Sequence, residues 1–294
     1  MERFSFDHDL HIHTKLSLCS NHPEQTPDNI LRYAKEYGLK TLCITDHFWD
    51  DGALGMPNKY LDREYDPYGA LPPIDDVGEN AARWYRMQNY PHISKSLPLP
   101  ECDGVSFMFG AETELDHDMS LGVSKEALDK LDFLIIPTTH LHMGSLTLPK
   151  KEGEYTPYDI ARLWERRLDG VLDMDLPFSK IGIAHLACHL MYKPREGYLE
   201  ALRLLDNGEM ERIFSKAAKV GVGIELNMED MSFDEKDKDV ILRPFMIAKA
   251  AGCRFYLGSD AHAPSAFKRA RDVFDRAIDL LGLTEYDKFH IKTN

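Results

Sequence analysis

Short apolar segments recur along this chain, and nearly every one is followed at once by a histidine, an aspartate or a glutamate. Between them lie stretches with apolar residues at helical spacing, so strand and helix patterns alternate about seven times. Such alternation is typical of a parallel sheet with helices outside it. The predicted strands span residues 7–13, 39–45, 105–110, 133–137, 181–184, 221–226 and 253–257.

Helical patterns separate most of these strands. Thr26 is suited to cap the first helix, predicted over 27–37, and Gly38 is suited to end it. An irregular insertion over 48–103 is rich in Pro, Gly, Tyr and Asp, and because it leaves a strand end we expect it to cover the substrate side. Further helices are predicted over 77–88, 124–131, 157–172, 238–251 and 264–281, with one or two more over 197–219.

The polar residues after the strands decide between two architectures that share this alternation. An open, doubly wound sheet places its site mainly at one crevice, whereas a barrel brings the carboxyl ends of all its strands around one mouth. Since candidate ligands follow nearly every strand, we predict an α/β barrel with its site at the C-terminal mouth. No linker or internal repeat divides the chain, so we expect residues 1–294 to form a single domain.

A pair of histidines near the N-terminus gives the first indication of chemistry. On a strand, residues two apart face the same way, so His11 and His13 project together from one strand end, as a pair of metal ligands does. A single His-x-His sequence also occurs on surfaces and in cores. The metal interpretation therefore depends on the later residues that follow strands, which are His47, Glu112, His140, His185, Asp260 and His262.

Composition limits the classes of partner. The formal charge is −14 and no stripe of Lys and Arg is present, so we expect no nucleic acid partner. We see no apolar run of the ~20 residues that a membrane span needs, and no secretory signal at the N-terminus. Five scattered cysteines fit reduced thiols better than a disulfide framework. We expect a cytoplasmic protein that acts on a small molecule, with its oligomeric state open.

Three sequence signatures, taken together, identify a family. They are Asp-Leu-His-Ile-His-Thr at 9–14, Ile-Thr-Asp-His at 44–47 and Gly-Ser-Asp-Ala-His at 258–262. In this order and spacing they resemble the PHP (polymerase and histidinol phosphatase) superfamily of metal-dependent phosphoesterases, and within it the histidinol-phosphate phosphatase type. The resemblance implies a distorted (β/α)7 barrel with two or three divalent metals at its mouth. An imidazole-rich site suits zinc, manganese or iron(II) better than calcium.

The resemblance also implies the metal ligands. Glu112 matches the carboxylate that bridges two metals, with Glu114 as an alternative. His22 is chosen from the stretch His-Pro-Glu-Gln-Thr-Pro at 22–27, with Cys19 as its alternative. Asp46 is either a ligand or a support for its neighbour. The full implied set is His11, His13, His22, His47, Glu112, His140, His185, Asp260 and His262.

By the same resemblance, the activity is hydrolysis of a phosphoester by metal-activated water. The expected substrate is a small phosphomonoester, with L-histidinol phosphate as one example. The alternatives are a phosphodiesterase or nucleotide phosphatase of the same superfamily, a metal-binding barrel without catalysis, and a metal-dependent amidohydrolase, since such barrels share histidine pairs at strand ends. The expected catalytic residues are Glu112, Asp260 and His262. Because Lys and Arg bind phosphate, the expected substrate contacts are Lys15, Arg195 and His142, with Lys193, Lys268 and Arg269 as further cations.

Overall fold

The computed structural model describes residues 1–17, 19–20, 22–50, 88–143, 146–148 and 153–292. The helix predicted over 77–88 lies outside these described residues except for Gln88, and so does most of the insertion expected at 48–103. Among the helices of the described ranges, none combines the length and the apolar character that crossing a membrane requires.

Eight strands form one sheet in which every pairing is parallel. Their order around the sheet follows the chain, and β3 continues the position of β2, so seven strand positions form a nearly closed barrel. This confirms the predicted distorted (β/α)7 architecture. The strands are β1 (His8–Ile12), β2 (Thr41–Ile44), β3 (His47–Phe48), β4 (Ser106–Thr113), β5 (Phe133–Pro137), β6 (Ile181–Ala184), β7 (Gly223–Asn227) and β8 (Arg254–Gly258).

The barrel closes where the chain following β8 meets the end of β1. Ile12 and Ala261 form a parallel bridge. The backbone N–H of Asp260 donates to the carbonyl of His11 at 2.7 Å, and the N–H of His13 donates to the carbonyl of Ala261 at 3.2 Å. This seam places the first and the last ligand-bearing segments of the sequence side by side.

The strand predicted over 39–45 ends at Ile44, and a second short strand, β3, begins at His47. β2 pairs with the first half of β4, and β3 pairs with the last two residues of β4. Between them, the buried carboxylate of Asp46 accepts hydrogen bonds from the backbone N–H of Thr14 and from the hydroxyl of Ser17, both at 2.7 Å. The chain therefore resumes pairing with His47 directly opposite Glu112.

The helices begin where side chains cap them. The hydroxyl of Thr26 accepts the N–H of Asn29, and Gly38 ends that helix at φ 73°. The segment predicted over 197–219 divides in two because Asp206 caps a second helix. The helices are α1 (Pro27–Tyr37), α2 (Tyr90–Ile93), α3 (Lys125–Leu128), α4 (Pro157–Val171), α5 (Arg195–Arg203), α6 (Asn207–Val220), α7 (Lys238–Ala250) and α8 (Ala270–Leu281).

An apolar cluster fills the barrel interior beneath the mouth. The rings of Phe133 on β5 and Tyr256 on β8 lie 5.2 Å apart, although two strand positions separate them in the sheet, so this contact crosses the interior. Phe289, near the end of the chain, packs against both rings, and its N–H donates to the carbonyl of Phe255 at 2.8 Å. The cluster comprises Leu10, Cys43, Phe133, Ile135, Ala184, Tyr256 and Phe289.

We expect Phe133→Ala to lower the free energy of unfolding by about 3–5 kcal/mol, because it opens a cavity in a fully buried cluster. Chemical denaturation measures this loss. The control is Met246→Ala on α7, where the side chain is 49% exposed, and a change within about 0.5 kcal/mol is expected there. Equal losses for the two variants would contradict the assignment of Phe133 to the barrel interior.

Candidate metal centre

Four side chains at the mouth converge with the spacing of ligands around one ion. His11 and His13 extend from the end of β1, and their Nε2 atoms lie 3.1 Å apart. Oδ1 of Asp260 is 3.0 Å from Nε2 of His13 and 3.4 Å from Nε2 of His11. Oε2 of Glu112 is 3.4 and 3.5 Å from the same two nitrogens. Ligand atoms around a tetrahedral zinc ion are ~3.3–3.6 Å apart, so this first group matches a metal site closely.

The carboxylates of this first group lack hydrogen-bond donors. Both oxygens of Glu112 and Oδ1 of Asp260 are buried and accept no hydrogen bond within the described residues. Burial opposes ionisation of Glu112, but the imidazoles of His11 and His47 outweigh it and hold the pKa of Glu112 well below its usual range. Buried carboxylates of this kind are costly unless cations pair with them. The donor set therefore fits divalent metals.

A second group adjoins the first through Glu112. Oε1 of Glu112 lies 3.4 Å from Nε2 of His185, while Oε2 faces the first group. Ligand atoms of His140, His185 and Cys188 all lie within 4.8 Å of one another. The two oxygens of Glu112 thus face different imidazoles, which is the geometry that a bridging carboxylate needs. Glu112, His140, His185 and Cys188 form this second group.

Backbone strain is concentrated at these two groups. Among the described residues, three non-glycine residues have positive φ, and two of them are His185 at 60° and Asp260 at 52°. Such conformations are unfavourable for residues with a Cβ and persist at functional sites where the surroundings impose them. Both residues stand just beyond strand ends, where the chain turns sharply to aim a side chain into the mouth.

The third group consists of His47, His262 and Cys19. Nδ1 of His47 lies 3.0 Å from Oε2 of Glu112, and Nε2 of His262 lies 3.0 Å from the sulfur of Cys19. Burial opposes ionisation of Cys19, but the two imidazoles outweigh it and lower the pKa of the thiol to about 5. The thiolate is the form that binds metals.

The structure places Cys19, and not His22, beside the other ligands. His22 is partly exposed, and its Nδ1 accepts the N–H of Glu24 at 3.3 Å. The hydroxyl of the next residue, Ser20, binds the carbonyl of His262, so both Cys19 and Ser20 contact the segment that carries this histidine. We therefore propose Cys19 as the ligand at this position in place of His22, because its sulfur lies 3.0 Å from Nε2 of His262.

A ring of buried acids orients the imidazoles. Oε1 of Glu225 lies 2.6 Å from the ring atom Nδ1 of His11, and Oε2 accepts the backbone N–H of His185 at 3.2 Å. Glu114 performs the same task for His140, since its Oε1 lies 2.9 Å from Nδ1. Such carboxylate–histidine pairs fix the ring and raise its basicity as a ligand.

Ser17 links Asp46 to two histidines. Its hydroxyl oxygen lies 2.8 Å from Nδ1 of His13 and accepts the N–H of His47 at 3.1 Å, while its proton goes to Asp46. Asp46 therefore acts as a support and not as a candidate ligand, and it supports both His13 and His47.

Sequence reasoning did not assign Glu225 or Cys188 to the site. An acid in the middle of the apolar strand β7 was one usable signal, because an ionisable residue is seldom fully buried without a partner. A weaker signal was that Cys188 follows His185 by three positions, a spacing that occurs between metal ligands.

The three expected substrate contacts differ in their position. The guanidinium of Arg195 is bound to Asp237, and Lys15 is an exposed residue. His142 lies beside His140 with ring centroids 5.3 Å apart. His142 is exposed, and Lys193 is among the charged groups that act on it. Of the three, only His142 adjoins the metal groups.

Comparison with known proteins identifies the family. The family model described as PHP domain matches residues 9–286. The chain therefore belongs to the PHP domain family, as its three signatures predicted. None of the curated proteins is a significant match.

Among solved structures, the chain is similar to the histidinol phosphate phosphatase of Lactococcus lactis subsp. lactis Il1403, determined with zinc, L-histidinol and phosphate. The TM-score is 0.52 at 16% identity, with 92% of this chain and 93% of that chain covered, which supports the fold. A chain of an archaeal ribonuclease P with mature tRNA matches with a TM-score of 0.34 at 12% identity, covering 97% of each chain. The A. niger ochratoxinase matches with a TM-score of 0.39 at 10% identity, covering 95% of this chain and 67% of that chain.

We expect Gly258→Ala to weaken metal binding about 10- to 100-fold, the usual effect of disturbing a residue that supports a ligand. A Cβ at Gly258 would overlap the carboxylate of Glu225 and lie 2.6 Å from Cβ of His11. Elemental analysis after dialysis measures the retained metal, and circular dichroism checks the fold. In the control Gly208→Ala, the nearest atom to the new methyl group is Oδ1 of Asp206 at 3.3 Å. Full metal retention in both variants would contradict the supporting role of Glu225.

Proposed function

We propose that this protein is a metal-dependent phosphoesterase that hydrolyses a small phosphomonoester. The observation that carries the proposal is the position of Glu112, whose buried carboxylate faces the first and third groups with one oxygen and the second group with the other. Such a carboxylate suits a cluster of adjacent divalent ions. Membership of the PHP family supports the reaction class. We further propose that residues 1–294 act as one domain.

The chain's own residues would hold the metals and arrange the mouth. Asp260 resembles Glu112 in joining groups, since its Oδ1 lies 3.0 Å from His13 and its Oδ2 lies 3.5 Å from His185. His262 adjoins both Asp260 and Cys19. Divalent metals, when bound, supply an activated water and positive charge to neutralise the phosphoryl group. We propose zinc, manganese or iron as the metals, because imidazole and thiolate donors predominate.

The rim beside the second group supports a phosphorylated metabolite as the substrate. His142 is exposed beside His140, where its imidazole can exchange hydrogen bonds with a substrate. Lys193 is exposed and adds a positive charge near this rim. Since the Lactococcus lactis phosphatase was determined with L-histidinol and phosphate, L-histidinol phosphate is the first substrate to test.

The direct test is a substrate panel with added Mn²⁺ or Zn²⁺. The panel contains L-histidinol phosphate and other phosphomonoesters, nucleotides, phosphodiesters and amides. We expect release of inorganic phosphate from a monoester, and at least two transition metals per chain after purification without a chelator. Turnover of diesters alone would favour the phosphodiesterase alternative. A folded protein without metal, or one with metal but no turnover on any class, would contradict the proposal.

Glu112→Gln is expected to abolish turnover with the fold intact. The amide keeps the shape of the side chain but loses the charge that lies between the metal groups. Phosphate release is compared with that of Glu126→Gln, which changes an exposed glutamate on α3 in the same way and is expected to remain active. Full activity in Glu112→Gln would show that the bridging assignment is wrong.

A further inference from the structure

Helix α4 contains a buried arginine that none of the proposed roles uses. Arg167 is 1% exposed, and its guanidinium donates hydrogen bonds to four backbone carbonyls. Within the described residues, all the hydrogen bonds of this guanidinium go to backbone carbonyls. A buried cation is costly to desolvate, so a set of bonds of this kind calls for a structural or functional reason.

The four carbonyls belong to segments that carry the second metal group. Nη2 of Arg167 binds the carbonyl of Leu115 at 2.8 Å and Nη1 binds that of Asp116 at 3.1 Å, directly after Glu114. Nε binds the carbonyl of Thr138 at 2.7 Å, two residues before His140. The fourth bond, at 3.2 Å, goes to the carbonyl of Thr147 in the segment that follows His140. The guanidinium therefore joins the chain after β4 to the chain after β5.

Those segments deliver the two members of one hydrogen-bonded pair. Glu114 comes from the β4 side and His140 from the β5 side, and they meet at 2.9 Å between Oε1 and Nδ1. Their relative position depends on the distance between these two backbone segments, and the planar guanidinium fixes that distance by binding both. One helical turn earlier on α4, Nε1 of Trp164 binds the carbonyl of Leu186 at 2.8 Å, next to His185. The same helix thus contacts the loops of both histidines.

The charge on Arg167 also acts on Glu114. Burial lowers the pKa of the guanidinium to about 10, opposed by the negative charges of Glu114 and Asp116, so Arg167 stays protonated at neutral pH. That positive charge lies near the carboxylate of Glu114, whose Oε1 is 2.9 Å from Nδ1 of His140. The other nitrogen of His140, Nε2, is then the one with a lone pair available for a metal.

We propose that Arg167 is a positioning residue that sets His140, through Glu114 and the joined backbone segments, for metal binding in the second group. The inference rests on the proposed metal centre. Lysine is a poor substitute, because its ammonium is a point charge and cannot reach four carbonyls with a planar fork.

The test measures how many zinc ions each variant retains at increasing chelator concentration, starting from the purified holoprotein. In Arg167→Lys, we expect one ion to leave at a chelator concentration about 10- to 100-fold lower than in the unmodified protein, with the other ions unchanged. Glu114→Gln acts at the other end of the proposed connection and is expected to show the same selective loss. It also keeps the inference testable if Arg167→Lys fails to fold.

The matched control is Leu168→Ala, which perturbs the next buried residue of α4 without removing a hydrogen bond. We expect it to lower stability while retaining all ions. Two results would overturn the inference. One is early loss of every zinc ion in both Arg167→Lys and Leu168→Ala. The other is unchanged zinc retention in Arg167→Lys or in Glu114→Gln. An unmodified protein that retains no zinc would instead contradict the proposed metal centre, and the two failures are therefore distinguishable.

Discussion

The mouth of this barrel depends on burying two carboxylates among imidazoles. Glu112 comes from the middle of the sheet and Asp260 from the segment after its last strand, and both reach His11 and His13 within 3.5 Å. Both oxygens of Glu112 and Oδ1 of Asp260 accept no hydrogen bond within the described chain, so their buried negative charges call for cations at this position. Closure of the barrel at the seam between β1 and the chain after β8 makes this convergence possible.

A layer of acids behind the ligands makes the arrangement rigid. Glu225, Glu114 and Asp46 accept hydrogen bonds from ring nitrogens, from backbone N–H groups or from Ser17, and each is buried. Glu225 serves His11 with one oxygen and the backbone of His185 with the other, so a single side chain aligns ligands of two metal groups. Gly258 gives it the necessary space. The positive φ values of His185 and Asp260 persist against this rigid background.

The sequence predicted the architecture well, because strand–helix alternation and ligands after strand ends both follow from local pattern. His11, His13, Glu112 and Asp260 were predictable since strand ends fix where they point. Loop residues were less predictable: His22 and Cys19 are three residues apart, and it is contacts with His262, distant in sequence, that accompany the position of Cys19 beside the ligands. The expected phosphate contact Arg195 is paired with Asp237, a partner 42 residues away that no local pattern reveals.

The contribution of Phe289 to the barrel interior has a consequence for biosynthesis. Its ring packs against Phe133 and Tyr256, and its backbone is tied to Phe255. Ribosomes release a chain from its N-terminus onwards, and domains fold as units. The apolar interior of this barrel stays open below until residue 289 has left the exit tunnel. A nascent chain that has released all eight strands but not residue 289 therefore still exposes the rings of Phe133 and Tyr256, and chaperones that hold apolar surface can act on it in that interval.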